Sequence, residues 1–160
     1  MTGPAADVMD RLFLDANILV SAAHGSPAMA ELWQAAKRRA VRPFTSEYAL
    51  DEATRNIDSE QRSRLGLLVC QVTVVPEIAG PVPFAASLDL PVEDRPIVVA
   101  AAYAGATHLI TGDRRHFGKL YGSTVEGVLI CSLRQYLTEA SRSQQHPPLL
   151  EGPAGLRAPA

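Results

Sequence analysis

The sequence predicts an α/β protein, a three-layer α/β/α domain built around a central and mainly parallel sheet. Short apolar, β-branched runs alternate along the chain with segments whose apolar residues recur at helical spacing. Two of the apolar runs lead directly to an aspartate, Asp15 and Asp113, at the point where parallel strands form a ligand-binding edge. A chain of 160 residues is long enough to bury the core of one such domain.

Helix-start signals divide the first part of the chain. Ser26 followed by Pro27 is a favourable N-cap with proline at the first helical position, and Ser46 can cap a later helix. The predicted elements are a strand at residues 11–15, a helix at 17–23, a helix from Pro27 to the basic residues 37–39, a strand at 42–45 and a helix after Ser46.

In the second part, Asp58 and Gln61 have the spacing of a capping box. Because the residue before a proline is biased away from helical angles, Arg95 rather than Asp94 is the predicted cap of an apolar helix that Gly105 ends. The predicted elements are a helix at 58–68, a strand at 71–75, a loop at 76–91 with one helical turn at 84–88, a helix at 97–104, strands at 107–111 and 127–131, and a helix at 132–140.

The predicted organisation is one domain at residues 1–140 and a disordered tail at 141–160, which is rich in proline and glycine and has little apolar surface to bury. No apolar run approaches the ~20 residues of a membrane-spanning helix. The first ten residues lack the basic and apolar regions of a secretion signal. We therefore expect a cytoplasmic protein with no membrane partner.

Composition excludes some classes of site. Cys70 and Cys131 have neither zinc-knuckle nor CxxC spacing, and are expected to be buried free thiols. The net charge of -2 gives no overall attraction to nucleic acid. Neutralising four carboxylates with two divalent cations would leave the remaining surface net positive, and its basic residues are almost all arginine, which suits phosphate contacts.

Four acidic residues outline a candidate metal site: Asp15, Glu52, Asp94 and Asp113. Each aspartate has an ordinary alternative role, as a helix cap for Asp15, a turn residue for Asp113 and a solvated loop residue for Asp94. Their joint placement, where apolar runs give way to polar residues, favours a shared site. Crowded carboxylates should raise the pKa of at least one member unless a hard cation neutralises them.

The helix after Ser46 carries three acids, and its periodicity separates them only in part. Asp51 falls nearly opposite the apolar stripe and should be solvated. Glu47 and Glu52 both fall at the edges of the stripe, where a side chain can reach a cleft beside the sheet. Periodicity therefore leaves the choice between these two open.

Four segments of the chain resemble the PIN-domain nucleases. They are residues 13–19 (Phe-Leu-Asp-Ala-Asn-Ile-Leu), 48–53 (Tyr-Ala-Leu-Asp-Glu-Ala), 90–97 (Leu-Pro-Val-Glu-Asp-Arg-Pro-Ile) and 109–118 (Leu-Ile-Thr-Gly-Asp-Arg-Arg-His-Phe-Gly). The resemblance covers residues 11–137. Four motifs in order are much more specific than any one of them. The acidic net charge and the predicted tail depart from the picture of a simple toxin, a role that many members of this family have.

The resemblance implies a parallel α/β fold and a ribonuclease site in which the matched acids bind Mg²⁺ or Mn²⁺: Asp15, Glu52, Asp94 and Asp113. It selects Glu52 over Glu47. Many PIN-domain nucleases are VapC-type toxins of toxin–antitoxin pairs. The resemblance thus also implies an RNA substrate and a cognate antitoxin as partner, and it allows a homodimer.

The implied reaction is hydrolysis of an RNA phosphodiester by water that a cation activates, with a second cation ~3.5–4 Å away stabilising the leaving oxygen. Asp15 is the expected bridging ligand, because it directly follows a central strand and needs little side-chain reach. Asn17 and Thr111 are expected to orient the ligands without binding the cation themselves. Three basic residues could hold substrate phosphates, although a solvated charged face is the alternative: Arg114, Arg115 and Lys119.

Two other functions compete with this one. Aspartyl-phosphate phosphatases also place an aspartate after a strand, but they usually carry a second aspartate two residues later, where this chain has Asn17. The other competing function is that of a catalytically silent PIN-fold module that only binds RNA or protein. Loss of an acid would favour that module, and all four acids are present.

Overall fold

The computed structural model describes residues 9–145. A six-stranded sheet forms its centre, in the order β3-β2-β1-β4-β6-β5. All pairs are parallel except the last, between β5 and β6. The strands are β1 Asp10–Leu14, β2 Val41–Ser46, β3 Thr73–Val75, β4 His108–Ile110, β5 Thr124–Val125 and β6 Val128–Cys131.

Helices connect the strands and complete the three-layer α/β/α architecture that the sequence predicts. They are α1 Ala16–Ala23, α2 Pro27–Lys37, α3 Glu47–Arg55, α4 Ser59–Val69, α5 Arg95–Tyr103, α6 Arg114–Phe117 and α7 Leu133–Gln145. Short 3-10 turns lie at Pro83–Ser87, Val92–Asp94 and Gly118–Leu120. Within residues 9–145, none of the helices combines the length and the apolar character needed to span a membrane.

The central strand β1 fixes where the sheet presents its polar edge. Leu12, Phe13 and Leu14 are all fully buried, as expected for a strand covered by helices on both faces. β1 pairs in parallel with both β2 and β4, so the carboxyl ends of the three strands lie side by side. The backbone N–H of Asp15 donates to the carbonyl of Ile110 at 3.1 Å, which brings the residues after β1 and β4 together.

Ser26, Ser46 and Asp58 all occupy the predicted N-cap positions, and two of these three form capping hydrogen bonds through their side chains. Ser46 Oγ accepts from the N–H of Ala49 at 3.1 Å. Asp58 and Gln61 form a complete capping box, with distances of 2.8 and 3.0 Å. Ser26 occupies the N-cap position before Pro27, but its side chain makes no capping hydrogen bond.

Replacing Asp58 by alanine should therefore destabilise the protein by about 1 kcal/mol, because the first turn of α4 loses the acceptor for the N–H of Gln61. Ser26→Ala is the matched control, since no side-chain bond is lost there, and should stay within about 0.5 kcal/mol of the parent. Urea unfolding measures both. Equal losses would show that the capping box contributes nothing specific.

The prediction that Arg95 caps the apolar helix is wrong. Arg95 adopts helical angles and is the first residue of α5, with Asp94 at the N-cap. The 3-10 turn, closed by the Asp94 N–H bond to the Pro91 carbonyl at 3.0 Å, leads straight into the helix. Pro96 then falls in the first helical turn, where its missing N–H costs nothing.

The structure also adds elements that the sequence did not predict. β5 joins β6 through a tight turn in which Glu126 and Gly127 both have positive φ, at 49° and 82°. The residues after Asp113 form the short helix α6 rather than a simple turn. β3 is shorter than predicted, with three residues followed by Pro76. Both edge strands, β3 and β5, are therefore short.

The end of α7 and the two cysteines also differ from expectation. α7 runs to Gln145, five residues beyond the predicted end at Ala140, while residues 146–160 of the predicted tail lie outside the described residues. Cys131 is buried as expected, but Cys70 is exposed. Cys70 is the residue that caps the C-terminus of α4, where the helix meets solvent.

Candidate metal centre

A cavity of about 250 Å³ lies at the carboxyl edge of the sheet. All four predicted acids line it, together with two amides: Asp15, Glu52, Asp94, Asp113, Asn17 and Asn56. Glu47, the acid that periodicity could not separate from Glu52, is exposed and does not line the cavity. The fold thus brings together the four acids that the sequence analysis selected.

Asp15 is the most buried of the four acids, with 6% of its surface exposed. One carboxylate oxygen accepts from the N–H of Ala16 at 2.7 Å and the other from the hydroxyl of Thr111 at 2.7 Å. Asp15 is thus both the N-cap of α1 and a wall of the cavity. Burial raises the pKa of Asp15 to about 6, and the two hydrogen bonds oppose that shift.

Thr111 and Asn17 hold the loop behind the acids. The fully buried Thr111 hydroxyl donates to Asp15 and accepts from the N–H of Asp113 at 3.2 Å. The Asn17 side-chain carbonyl accepts from the N–H of Gly112 at 2.8 Å. One hydroxyl therefore links two of the acids, and Asn17 fixes the turn between β4 and α6.

Helix α5 positions Asp94 and is anchored at its far end. The guanidinium of Arg11 donates to the carbonyls of Ala104 and Gly105, at 2.7 and 3.0 Å, just past the last turn of the helix. Ile97 is almost fully buried, so the first turn of α5 is fixed against the core. The Asp94 side chain makes no capping bond and lines the cavity instead.

Asp94 and Asp113 meet a histidine that the sequence analysis left unassigned. His116 Nδ1 lies 2.8 Å from Asp94 Oδ2 and 3.0 Å from Asp113 Oδ2. Each of the three residues offers a potential ligand atom, and these atoms lie within 4.8 Å of one another. The available signal was the spacing, because His116 follows Asp113 by one turn of the helix that Asp113 caps.

Close approach does not make a good hydrogen bond here. Asp94 Oδ2 and His116 Nδ1 are buried atoms that form an ion pair at 2.8 Å, and among the described residues neither has a partner with strict hydrogen-bonding geometry. Buried polar atoms without partners are costly, so such a pair calls for a further ligand. The donor set of carboxylates and one imidazole fits a divalent cation.

The predicted cause of the raised pKa values needs correction. The pKa of Asp94 is raised, like that of Asp15, but burial is the largest cause for both residues. Repulsion from neighbouring carboxylates adds to the shift, and His116 opposes it at Asp94. The cavity wall, more than crowding of like charges, therefore disfavours the ionised acids.

The three basic residues proposed for phosphate binding do not line the cavity. Arg114 and Arg115 are exposed, and Lys119 Nζ forms an ion pair with Asp89 at 2.7 Å. A second, more apolar cavity of about 390 Å³ is lined by Tyr48 and Arg95 and by none of the four acids. Burial raises the pKa of Tyr48, and the charges of Glu52 and Asp94 add to that rise, so this ring is close to two of the acids. Arg95 directly follows Asp94 in the chain.

Comparison with known proteins identifies a family model. The model described as PIN domain matches residues 11–115, more than half of the chain. One solved structure that the fold resembles is the crystal structure of VapBC2 from Rickettsia felis bound to a DNA fragment from their promoter. The match has 16% sequence identity and a TM-score of 0.55, and covers 76% of this chain and 98% of that chain. None of the curated proteins compared matches the sequence.

Proposed function

The chain belongs to the PIN-domain family, and from that premise we propose that it is a ribonuclease that depends on Mg²⁺ or Mn²⁺. The observation that carries the proposal is the convergence of the four acids on one cavity at the carboxyl edge of the sheet. The proposed ligands are Asp15, Glu52, Asp94 and Asp113.

A divalent cation in this cavity would supply two effects, a more acidic water as nucleophile and neutralisation of charge on the phosphate. The residues of the chain do the rest. Asp15, held by Thr111 and the N–H of Ala16, presents a carboxylate whose orientation is fixed before any ligand arrives. Asp94 and Glu52 close the cavity from α5 and α3.

The second cavity supports a single-stranded nucleic acid as the substrate. Aromatic rings and guanidinium planes stack on the unpaired bases of single-stranded nucleic acid. Tyr48 is fixed by its hydroxyl, which donates to the carbonyl of Glu93 at 2.8 Å, and Arg95 directly follows Asp94. Arg114, Arg115 and Lys119 remain candidates for contacts to phosphates further along the strand.

The deciding experiment is cleavage of labelled single-stranded RNA by the purified protein with Mg²⁺ or Mn²⁺, and with EDTA. We expect cleavage that EDTA stops, and a DNA strand of the same sequence tests the preference for RNA. RNA that stays intact with either metal, while still bound by the protein, would favour the catalytically silent module.

We further propose that the protein is the toxin of a type II toxin–antitoxin pair. The resemblance of its fold to VapBC2 supports this role, and so does the family. Expression of the chain should then arrest growth, and co-expression of an antitoxin encoded next to it should relieve the arrest. Growth that is unaffected by an active nuclease would contradict the toxin role. Light scattering tests whether the chain forms a homodimer.

Cation binding should also stabilise the fold. A metal at 100 times its dissociation constant adds about 2.7 kcal/mol to the free energy of unfolding, provided it binds only the folded state. Thermal melting with increasing Mg²⁺ or Mn²⁺ should therefore show a rising midpoint. A melting temperature that does not change at saturating metal would contradict a preformed site.

A further inference from the structure

His116 does not line the cavity, but its imidazole contacts two of the acids that do, Asp94 and Asp113. α6 begins directly after Asp113, whose Oδ1 accepts from the N–H of His116 at 3.1 Å. That bond fixes the backbone of His116 and leaves Asp113 Oδ2 facing the imidazole at 3.0 Å. Asp94 Oδ2 approaches the same nitrogen from α5 at 2.8 Å.

The distances fit neighbouring positions around one ion. Ligand atoms at about 2.0–2.1 Å from an octahedral cation lie about 2.9 Å apart along each edge of the octahedron. The two separations, 2.8 and 3.0 Å, match that edge length. An ion pair has a similar length, and the contact between Asp94 Oδ2 and His116 Nδ1 lacks only the strict geometry of a hydrogen bond, so the cation-binding test below has to separate the two roles.

We propose that His116 Nδ1 is a ligand of the divalent cation, sharing it with Asp94 and Asp113. The proposal rests on the proposed metal-dependent function and extends it from an all-carboxylate site to a mixed nitrogen and oxygen site. The imidazole then carries its proton on Nε2, because coordination uses the lone pair on Nδ1.

An imidazole ligand changes which ion the site prefers. Mg²⁺ is a hard ion that binds oxygen and keeps several waters, whereas affinity for nitrogen donors rises along the first-row transition metals. Mn²⁺ should therefore bind more tightly than Mg²⁺, and His116 should account for much of the difference. A site of four carboxylates alone offers no nitrogen to produce that preference.

A competing role for His116 is that of a counter-charge, a protonated imidazole that neutralises Asp94 and Asp113. The two roles predict opposite effects of removing the ring. Loss of a ligand weakens cation binding, whereas loss of a positive charge from beside the acids leaves cation binding unchanged or strengthens it.

The test uses Mn²⁺ as the probe, because its unpaired electrons report on bound nitrogen. Electron spin-echo envelope modulation of the Mn²⁺ complex should show coupling to ¹⁴N in the parent protein and lose it in His116→Ala. Calorimetry should show that His116→Ala binds Mn²⁺ at least about tenfold more weakly, with a clearly smaller loss for Mg²⁺. His24→Ala is the control, because this exposed histidine lies at the other end of α1 from Asp15.

A parent complex without ¹⁴N coupling would overturn the proposal, whether or not the variant folds. Mn²⁺ affinity that is equal or higher in His116→Ala would overturn it too and would assign the counter-charge role. The proposed function is tested separately. A protein that shows ¹⁴N coupling but leaves RNA intact would support His116 as a ligand and contradict the nuclease function. RNA cleavage by a protein that shows no ¹⁴N coupling would support the nuclease function and contradict the ligand role of His116.

Discussion

Asp94→Asn is expected to abolish RNA cleavage while leaving the fold intact. The amide keeps the size of the side chain but removes the negative charge at a buried oxygen beside Asp113 and His116, so the cavity should lose cation affinity. α5 does not depend on this side chain, which makes no capping hydrogen bond. Burial raises the pKa of Asp94, so removing its charge also removes a cost of folding.

Cleavage assays at saturating Mn²⁺ and melting followed by circular dichroism measure the two halves of this expectation. Glu47→Gln is the matched control, because it removes the same charge from an exposed position outside the cavity. Full cleavage by Asp94→Asn would refute the assignment of Asp94. Loss of cleavage in Glu47→Gln, with Glu52→Gln still active, would show that the acid on α3 is wrongly chosen.

Thr111→Val should weaken both the fold and the metal centre. The methyl group fills the volume of the hydroxyl, but Asp15 Oδ2 then keeps only a long contact to Asn17 at 3.5 Å, and the Asp113 N–H loses its acceptor. Leaving such buried groups without partners costs about 1–3 kcal/mol. Loss of a group that orients a metal ligand lowers metal affinity about 10–100-fold. The pKa of Asp15 should also rise further, since the Thr111 hydrogen bond lowers it.

Thr45→Val separates these two effects. Thr45 is fully buried in the neighbouring strand β2, and its hydroxyl donates to the carbonyl of Leu14 at 2.9 Å rather than to a carboxylate. Its loss should cost about 1 kcal/mol of stability and leave metal affinity near that of the parent. Urea unfolding and calorimetry with Mn²⁺ measure both variants. Equal losses of metal affinity would attribute the effect to packing of the sheet instead of orientation of Asp15.

The main features of the fold follow from local patterns. Leu12, Phe13 and Leu14 form an uninterrupted apolar run, which is typical of a strand buried on both faces, and all three are fully buried. The capping box at Asp58 and Gln61 depends on residues three positions apart, so sequence spacing is enough to identify it. The polar edge of the sheet is predictable for a similar reason, because an acid that follows an apolar run is recognised from neighbouring residues of the sequence.

Other features depend on contacts between distant parts of the chain. β5 is two residues long and forms because it pairs with β6. The turn between them contains Glu126 followed by Gly127, both with positive φ, which is unusual for a glutamate. His116 belongs with Asp94 only because the fold brings α6 to the residue before α5, where His116 Nδ1 lies 2.8 Å from Asp94 Oδ2. Neither relation leaves a periodic signal in the sequence.

The choice between two acids on α3 needs information that helical periodicity does not contain. Helical periodicity places Glu47 and Glu52 equally well at the border of the apolar stripe. What distinguishes them is the position of the cavity along the helix. Glu47 is in the first turn, whereas Glu52 is more than one turn further on and lines the cavity with Asp15 and Asp94. That distance is a property of the packed layers, which a single helix cannot reveal.

The short edges of the sheet limit how other chains can attach to it. An incoming strand would find three residues at β3, ended by Pro76, or two at β5, and so could form only a few backbone hydrogen bonds at either edge. This geometry guards against aggregation through strand addition. For the described residues, the helices and loops thus offer any partner chain more surface than the sheet edges do, and specificity there can change by substitution without altering the sheet.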